Sequence, residues 1–309
     1  MAINRVKIKD FLVFKDEFVV DFCPGVNIII GGNATGKTTL LKAMYAGYRG
    51  CFASKGLNEI IEDCFGTSIQ FEPDSIKIIH DNDVINSKFN PHGNVYIPEK
   101  DILEHAKGLL TFIEQKQTGF GKVYRDVIIA AQDVPTSKQS EIQKTIEQKI
   151  AGIIGGKIHW DKGDGSFYTL KIDGTRIPFA NEASGYKKLG FLGLLVTSGQ
   201  LEKNSVLFWD EPENSLNPEL MPVLVDILLE LQREGVQIFI ATHSEIFVSY
   251  FDANRKDSDK VTFYSLYKNG ENVKADKSER FDLLTPNNLT AEQIKLYRAE
   301  LERSFKNDK

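Results

Sequence analysis

Eight residues near the N-terminus have the types and spacing of a loop that holds phosphate groups. They are Gly31, Gly32, Asn33, Ala34, Thr35, Gly36, Lys37 and Thr38, which fit the pattern GxxxxGK[ST]. A largely β-branched apolar run, Val26–Ile30, which includes Asn27, precedes them, and a helical pattern that begins at Thr39 follows. Glycines let backbone N–H groups approach phosphate oxygens, and a helix N-terminus adds positive potential. The sequence therefore predicts an ATP site that extends to Thr39, with Lys37 at the β- and γ-phosphates and Thr38 as a Mg²⁺ ligand.

A second group of reactive residues follows a predicted buried strand in the second half of the chain. Four apolar residues, Val206–Trp209, are followed directly by the carboxylates Asp210 and Glu211. Ligands of α/β proteins bind at the carboxyl ends of the strands. We therefore expect Asp210 to hold the Mg²⁺ shell and Glu211 to polarise an attacking water. The alternative is a solvated strand end, since Pro212 starts a turn, but the phosphate loop favours the catalytic interpretation.

The residues around this acidic pair carry a resemblance to a known superfamily. Residues 210–218, DEPENSLNP, resemble the Walker B and D-loop block of ATP-binding-cassette ATPases. A further apolar strand ends at Ala241, and His243 two residues later resembles the switch histidine of that superfamily. The resemblance implies that His243 senses the γ-phosphate and belongs with Lys37 and Glu211 to the catalytic group.

Upstream, residues 181–188, NEASGYKK, resemble the signature motif of the same superfamily. Its Ser-Gly pair, here Ser184 and Gly185, opens a helix whose N-terminus faces an anion. The resemblance implies that this anion is the γ-phosphate bound by the opposite subunit. The motif departs from the common LSGGQ form, because Tyr186 replaces the second Gly and Lys187 stands at the Gln position. The alternative is a helix capped by Ser184 with a basic first turn.

Other features are similar to one branch of the superfamily. Asn33 and the opening segment KIKDFLVFKDEF resemble the chromosome-maintenance, RecF and OLD-type ATPases. Within that branch the chain most resembles small "AAA family" ATPases of bacterial anti-phage defence systems of the PARIS or Septu type. The usual Q-loop glutamine is not obvious, and Glu99 occupies the corresponding place as a candidate metal ligand. The gap of about 150 residues between Lys37 and Ser184 is too short for a long coiled coil, which favours a compact insert.

The elements that must position these residues follow an α/β pattern. The predicted fold class is a P-loop NTPase with an ABC-ATPase-like two-lobe head, comprising a mixed β-sheet with an antiparallel N-terminal part and a helical insert lobe. The single head spans 1–309, with a nucleotide-binding lobe (1–100 and 180–250), a helical and β insert and signature lobe (about 101–179) and a C-terminal strand and helix tail (251–309). The predicted elements are an N-terminal hairpin within 3–22, two or three short strands within 68–89, helices within 101–152, strands within 157–178, helices at 39–48, 184–198 and 218–233, and strands at 26–30, 95–97, 206–209 and 237–241.

The bulk composition restricts the class of protein. The net charge of -5 over 309 residues argues against a generally basic nucleic-acid coat. Three cysteines without a CxxC pair suggest neither a disulfide framework nor a zinc site. The longest apolar runs are too short for a membrane span, and the first residues indicate a strand and not a signal peptide. We therefore expect a cytoplasmic protein without a membrane partner. In the tail, Asp252, Asp257 and Asp259 are predicted to lie in a solvated loop.

The predicted function is an ATP-hydrolysing switch or scaffold that dimerises head to tail, or forms a higher homo-oligomer, around shared ATP and Mg²⁺ sites. It would sense a trigger and control a separate effector chain such as a nuclease. The expected role in anti-phage defence rests on the resemblance alone. The alternative is a DNA-repair or recombination ATPase of the RecF or chromosome-maintenance type. That alternative needs a basic groove. The candidate residues are Lys116, Lys122, Arg125, Lys138, Lys144 and Lys149. Acidic residues are interspersed among them, which is typical of a solvated helix face.

Overall fold

The computed structural model describes residues 2–50, 57–65, 76–80, 83–84, 93–100, 103–114, 123–132 and 139–307. The strands in these ranges are β1 (Arg5–Ile8), β2 (Phe18–Asp21), β3 (Val26–Gly31), β4 (Ile76–His80), β5 (Asp83–Val84), β6 (Asn94–Ile97), β7 (Gly156–Asp161), β8 (Ser166–Lys171), β9 (Arg176–Pro178), β10 (Val206–Asp210), β11 (Gln237–Ala241), β12 (Val261–Asn269) and β13 (Asn272–Ser278). The α-helices are α1 (Lys37–Gly50), α2 (Leu57–Phe65), α3 (Ala106–Glu114), α4 (Val123–Gln132), α5 (Glu141–Ile154), α6 (Ser184–Thr197), α7 (Met221–Arg233), α8 (Glu245–Asn254) and α9 (Asn288–Asn307).

The phosphate loop follows a strand at the centre of a six-stranded sheet. The strand order is β13-β12-β3-β11-β10-β6. The four pairs from β12 to β6 are parallel, and β13 pairs antiparallel at one edge. Every residue of β3, β10 and β11 is buried, as expected for parallel strands covered on both faces. The predicted mixed sheet and its buried strands are confirmed.

Alternate residues of β3 bury their side chains on opposite faces of this sheet. Ile28 and Ile30 enter a core shared with α6 and α7, whereas Ile29 enters a second core shared with α1 and the N-terminal strands. All three are fully buried, and complete burial of such a side chain contributes about 1.5–3 kcal/mol. The strand that leads into the phosphate loop is therefore held from both sides.

A separate antiparallel sheet lies beside α1, with the order β2-β1-β4-β5. β1 pairs with β2 in a register that places Val6 opposite Val20, which confirms the predicted N-terminal hairpin. Of the strands predicted within 68–89, β4 and β5 are present, and the remainder of that segment lies outside the described residues. Phe11 and Phe14, in the connection between β1 and β2, are almost fully buried.

The middle of the chain contains helices and a small sheet, as the sequence predicts. α3, α4 and α5 are followed by an antiparallel sheet with the order β7-β8-β9. Ser140 and Gln143 form a capping box at the start of α5, and Gly155 ends it in a left-handed conformation with φ 65°.

The C-terminal segment completes the six-stranded sheet. β12 runs parallel to β3, in a register that places Leu266 beside Gly31. The expectation of a solvated acidic loop is wrong for Asp259, whose side chain has no exposed area and pairs with Arg233. It is also wrong for Asp252, which lies in α8 and pairs with Arg255 at 2.8 Å. Among the described residues, no helix has the length and apolarity needed to cross a membrane.

Candidate active site

The phosphate loop begins where β3 meets β12 at very close range. Gly31 has φ +153°, and a Cβ at this position would lie 2.4 Å from the backbone oxygen of Leu266. Only glycine fits such an approach without a backbone shift. The Thr35 hydroxyl donates to the carbonyl of Gly32 at 2.9 Å and closes the loop on itself. The loop therefore takes its shape from its own residues and from β12.

Lys37 starts α1 with its side chain folded over the loop. Its Nζ donates to the carbonyl of Gly31 at 2.9 Å and to that of Gly32 at 3.2 Å. Burial lowers the pKa of Lys37, and the charges of Glu211 and Asp210 oppose that shift. Of the other predicted phosphate contacts, Asn33, Ala34 and Thr38 are exposed and Thr39 is half-buried, whereas Gly31, Thr35 and Gly36 are buried. The loop thus holds the Lys37 ammonium group in a buried position beside the exposed Thr38.

Asp210, at the end of β10, lies where a metal ligand is needed. The Tyr96 hydroxyl donates to its Oδ2 at 3.3 Å, and the Thr38 hydroxyl also interacts with its carboxylate and lowers its pKa. Burial raises the pKa of Asp210, while these two hydroxyls lower it. The second oxygen, Oδ1, is buried without a hydrogen-bond partner. An orphaned carboxylate oxygen beside a threonine hydroxyl fits Mg²⁺, which takes oxygen ligands from one or two carboxylates and from substrate phosphates.

Glu211 and His243 face one another across the ends of β10 and β11. Glu211 Oε1 lies 3.1 Å from His243 Nε2, and the Glu211 backbone has a left-handed φ of 51°. Burial, followed by the charge of Glu213, raises the pKa of Glu211 to about 8. Burial and the nearby Lys37 charge lower the pKa of His243. At neutral pH these shifts favour a carboxylic acid facing a neutral imidazole.

Ser184 and Gly185 open α6 as the sequence predicts, and their position corrects the helix-cap alternative. The N-cap residue is Ala183, which makes no side-chain capping bond, whereas Ser184 is the first helical residue and is exposed. A Cβ on Gly185 would lie 2.9 Å from Leu220 and 3.3 Å from Leu216. Gly185 therefore lets the start of α6 pack against the segment that follows Glu211.

The basic first turn of α6 is buried and not solvated. Lys187 pairs with Glu104 at 2.6 Å. Lys188 Nζ donates to the backbone carbonyls of Glu211 and Pro212, each at 3.2 Å. A charged group that bonds these carbonyls links the signature-like helix to the backbone of the predicted catalytic glutamate.

Glu99 is exposed after β6, and its Oε1 accepts from Asn214 Nδ2 at 3.2 Å. Its charge contributes to the raised pKa of Asp210, after the larger effect of burial. In the part of the chain that is described, no three His, Cys, Asp or Glu side chains converge as a metal cage. The metal role of Glu99 stays a prediction.

Sequence reasoning missed three residues of the site. Tyr96 and Lys188 bond to the acidic strand end, and Glu213 is a third buried acid beside Glu211. Glu213 was the detectable one, because a third carboxylate in the segment 210–213 is unusual for a solvated turn. Tyr96 and Lys188 come close only through the fold, since they lie 114 and 24 residues from their partners.

Three of the six basic residues considered for a DNA groove lie in the described ranges, and each of the three has an acidic neighbour. Lys144 lies 2.6 Å from Glu141, and Lys149 lies 3.5 Å from Glu230. Arg125 lies 3.7 Å from Asp126. The other candidates, Lys116, Lys122 and Lys138, lie outside the described residues. The pairs that can be seen match solvated helix faces with interspersed charges.

Two family models match this chain. The model described as "AAA domain" matches residues 5–167. The model described as "AAA domain, putative AbiEii toxin, Type IV TA system" matches residues 115–249. Together they cover the phosphate loop, the signature-like helix, the acidic strand end and His243.

Curated relatives match over short segments. A structural maintenance of chromosomes protein 3 homolog from Plasmodium falciparum is 26% identical over 113 residues, which are 35% of this chain and 8% of that protein. The DNA replication and repair protein RecF from Oenococcus oeni is 49% identical over 45 residues, 15% of this chain and 12% of that protein. The matched segments are thus a small part of each relative's own length.

Solved structures match over nearly the whole chain and show its fold. An SMC head bound to the C-winged helix domain of ScpA has a TM-score of 0.53 at 14% identity, covering 90% of this chain and 98% of that one. An ATP-binding cassette of an ABC transporter has a TM-score of 0.52 at 17% identity, and the match covers 96% of this chain and 99% of that one. The predicted P-loop fold of the ABC-ATPase type is confirmed.

Proposed function

The chain belongs to the AAA domain family, and from this premise we propose that it is a Mg²⁺-dependent ATPase that works as an ATP-controlled oligomeric switch. The observation that carries the proposal is the convergence of five side chains from β3, β10 and β11 and the segments after them. They are Lys37, Thr38, Asp210, Glu211 and His243. Phosphoryl transfer to water needs chiefly positioning and charge stabilisation, which such a group supplies.

Each of these residues has a distinct part in the proposed reaction. Lys37 and the loop N–H groups neutralise the β- and γ-phosphates. Bound Mg²⁺, held by Thr38 and Asp210, would supply charge neutralisation at the bridging phosphate oxygens. In its ionised form, Glu211 orients the attacking water and accepts its proton. His243, 3.1 Å from Glu211, donates a hydrogen bond to the γ-phosphate.

The oligomer is proposed from the start of α6. Ser184 is exposed, and the N-cap Ala183 provides no side-chain bond to the helix N–H groups. These groups are free to meet an anion from another molecule. The resemblance to the signature motif supports the γ-phosphate of a second subunit as that anion. Binding of ATP then closes a head-to-tail pair, and hydrolysis removes the contacts that bridge it.

The experiment compares the mass of the wild-type protein and Glu211→Gln by light scattering, with and without Mg-ATP. We expect Glu211→Gln to retain ATP binding, to lose hydrolysis and to accumulate as the larger species. Lys37→Met is the matched control, because it should bind ATP weakly and stay at the smaller mass. An unchanged mass of Glu211→Gln with saturating ATP would refute the composite site.

We further propose that this switch controls a separate effector in anti-phage defence. The match to the family model described as a putative AbiEii toxin of a Type IV TA system, over residues 115–249, supports a place among toxin–antitoxin systems, and the defence role rests on the resemblance of the sequence. The test is co-expression with the product of the adjacent gene, followed by co-purification and a phage plaque assay with wild type and Glu211→Gln. ATPase stimulation by duplex DNA with a steep salt dependence would instead favour the DNA-repair alternative.

A further inference from the structure

Glu213 is a buried carboxylate that has no part in the proposed reaction. It lies two residues after Glu211 and is 8% exposed. Its Oε1 accepts three hydrogen bonds, from the Thr242 hydroxyl and from the backbone N–H groups of His243 and Ser244, the latter two at 3.2 Å. One carboxylate oxygen thus binds every residue of the segment that connects β11 to α8.

This segment carries the imidazole that faces Glu211. Thr242 is fully buried, and its N–H donates to the carbonyl of Ile29 at 3.1 Å. The Ser244 N–H also donates to the Thr242 hydroxyl at 3.0 Å. With Glu213 in place, the backbone on both sides of His243 is fixed. Without it, two buried or half-buried N–H groups lose a charged acceptor, which is among the stronger hydrogen-bond partners in proteins.

Glu213 is also tied to the strand end that carries Glu211. The Asn214 N–H donates to the Glu211 carbonyl at 3.1 Å, and the Leu216 N–H donates to the Glu213 carbonyl at 2.9 Å, so these residues form consecutive tight turns. The charge of Glu213 contributes to the raised pKa of Glu211, after burial. The second carboxylate oxygen, Oε2, is buried without a hydrogen-bond partner. Glu213 therefore touches the segments of both catalytic side chains.

We propose that Glu213 is a positioning residue for hydrolysis, which holds the Thr242–Ser244 backbone so that the His243 imidazole meets the Glu211 carboxyl. The inference rests on the proposed ATPase function. A purely structural role as a cap of α8 is the competing explanation. The Ser244 hydroxyl already caps α8 by accepting from the Phe247 N–H at 3.2 Å. Glu213 instead accepts hydrogen bonds from Thr242, His243 and Ser244, which precede the first residue of α8.

The test uses Glu213→Ala, Glu213→Gln and the exposed control Glu271→Ala. In steady-state hydrolysis at pH 7.5 we expect Glu213→Ala to lower kcat by about tenfold or more, since misplaced catalytic groups lose rate steeply, with KM changed less than about twofold. Glu213→Gln keeps an acceptor oxygen and should recover most of kcat. Glu271→Ala should match wild type.

A second measurement does not depend on hydrolysis. The chain has five histidines, and the ring signal of His243 can be assigned in a ¹³C-histidine spectrum by its loss in His243→Asn. We expect Glu213→Ala, but not Glu213→Gln or Ser244→Ala, to shift this signal in protein without ATP. An unshifted signal in Glu213→Ala would overturn the inference, as would a loss of thermal stability with unchanged kcat. If the wild-type protein does not hydrolyse ATP, the proposed ATPase function is refuted. The histidine spectrum would still show whether Glu213 positions His243.

Discussion

His243 Nε2 lies 3.1 Å from Glu211 Oε1, so the residue expected to sense the γ-phosphate contacts the residue expected to activate water. The contact is a consequence of strand register. β10 and β11 are parallel neighbours that place Asp210 beside Ala241. The residues that follow each strand therefore leave the sheet at the same level. Any group that binds one of these side chains is placed to alter the other.

The first prediction concerns the pH dependence of stability, because the pKa of Glu211 is about 8 in the folded chain and near its ordinary 4.5 when unfolded. Between these values the folded chain keeps a proton that the unfolded chain has released. The contribution of this carboxyl group to the free energy of unfolding is therefore complete below pH 4.5 and is lost as the pH rises through 8. Glu211→Gln removes the group. Between pH 5 and pH 8, we expect the free energy of unfolding of wild type to fall relative to that of Glu211→Gln.

Urea unfolding of wild type and Glu211→Gln at several pH values between 5 and 8 measures the difference in their free energies of unfolding. Parallel pH profiles for the two proteins would show that Glu211 has an ordinary pKa in the folded chain. Glu271→Gln, at the exposed turn between β12 and β13, is the control and should follow wild type.

The second prediction concerns Lys37, whose ammonium group is buried and bonded to two loop carbonyls. Lys37→Met removes a charge that would bind phosphate, and we expect ATP affinity to fall by about tenfold or more, since a hydrogen bond to a charged group contributes about 1.5–3 kcal/mol. A ligand that binds only the folded state raises its stability. Mg-ATP should therefore raise the Tm of wild type and of Lys144→Met, but barely that of Lys37→Met. Equal shifts in all three proteins would contradict the placement of Lys37.

Most of the sheet and the site could be predicted from the sequence, because the information is local. Runs of mostly apolar residues mark β3, β10 and β11, and the phosphate loop is recognised from its own residues. The buried ion pair of Asp259 could not be predicted, since Arg233 lies 26 residues away on another element. Likewise, no local pattern places β12 beside β3, because parallel pairing depends on the fold as a whole.

The third prediction concerns Gly31, where β3 and β12 approach most closely. Gly31→Ala would place a Cβ 2.4 Å from the backbone oxygen of Leu266 at a φ of +153°. Gly270→Ala, with φ +65° and no atom within 4 Å of the added Cβ, carries backbone strain without the contact. We expect Gly270→Ala to lower the free energy of unfolding by about 1 kcal/mol. Gly31→Ala should lower it by about 2–3 kcal/mol and also weaken ATP binding. Equal losses would show that β12 can move aside.

The last prediction separates a buried ion pair from an exposed one. Arg233 donates from two nitrogens to both oxygens of Asp259, with Nε at 2.7 Å from Oδ1, and the Asp259 side chain has no exposed area. Arg233→Ala leaves that carboxylate without its counterion, and we expect a loss of about 3 kcal/mol in urea unfolding. Arg280 makes a similar pair with Asp282, but both side chains are more than half exposed. Arg280→Ala should therefore lower the free energy of unfolding far less, because water replaces the lost partner. A loss in Arg233→Ala no larger than that in Arg280→Ala would mean that Asp259 is hydrated in solution.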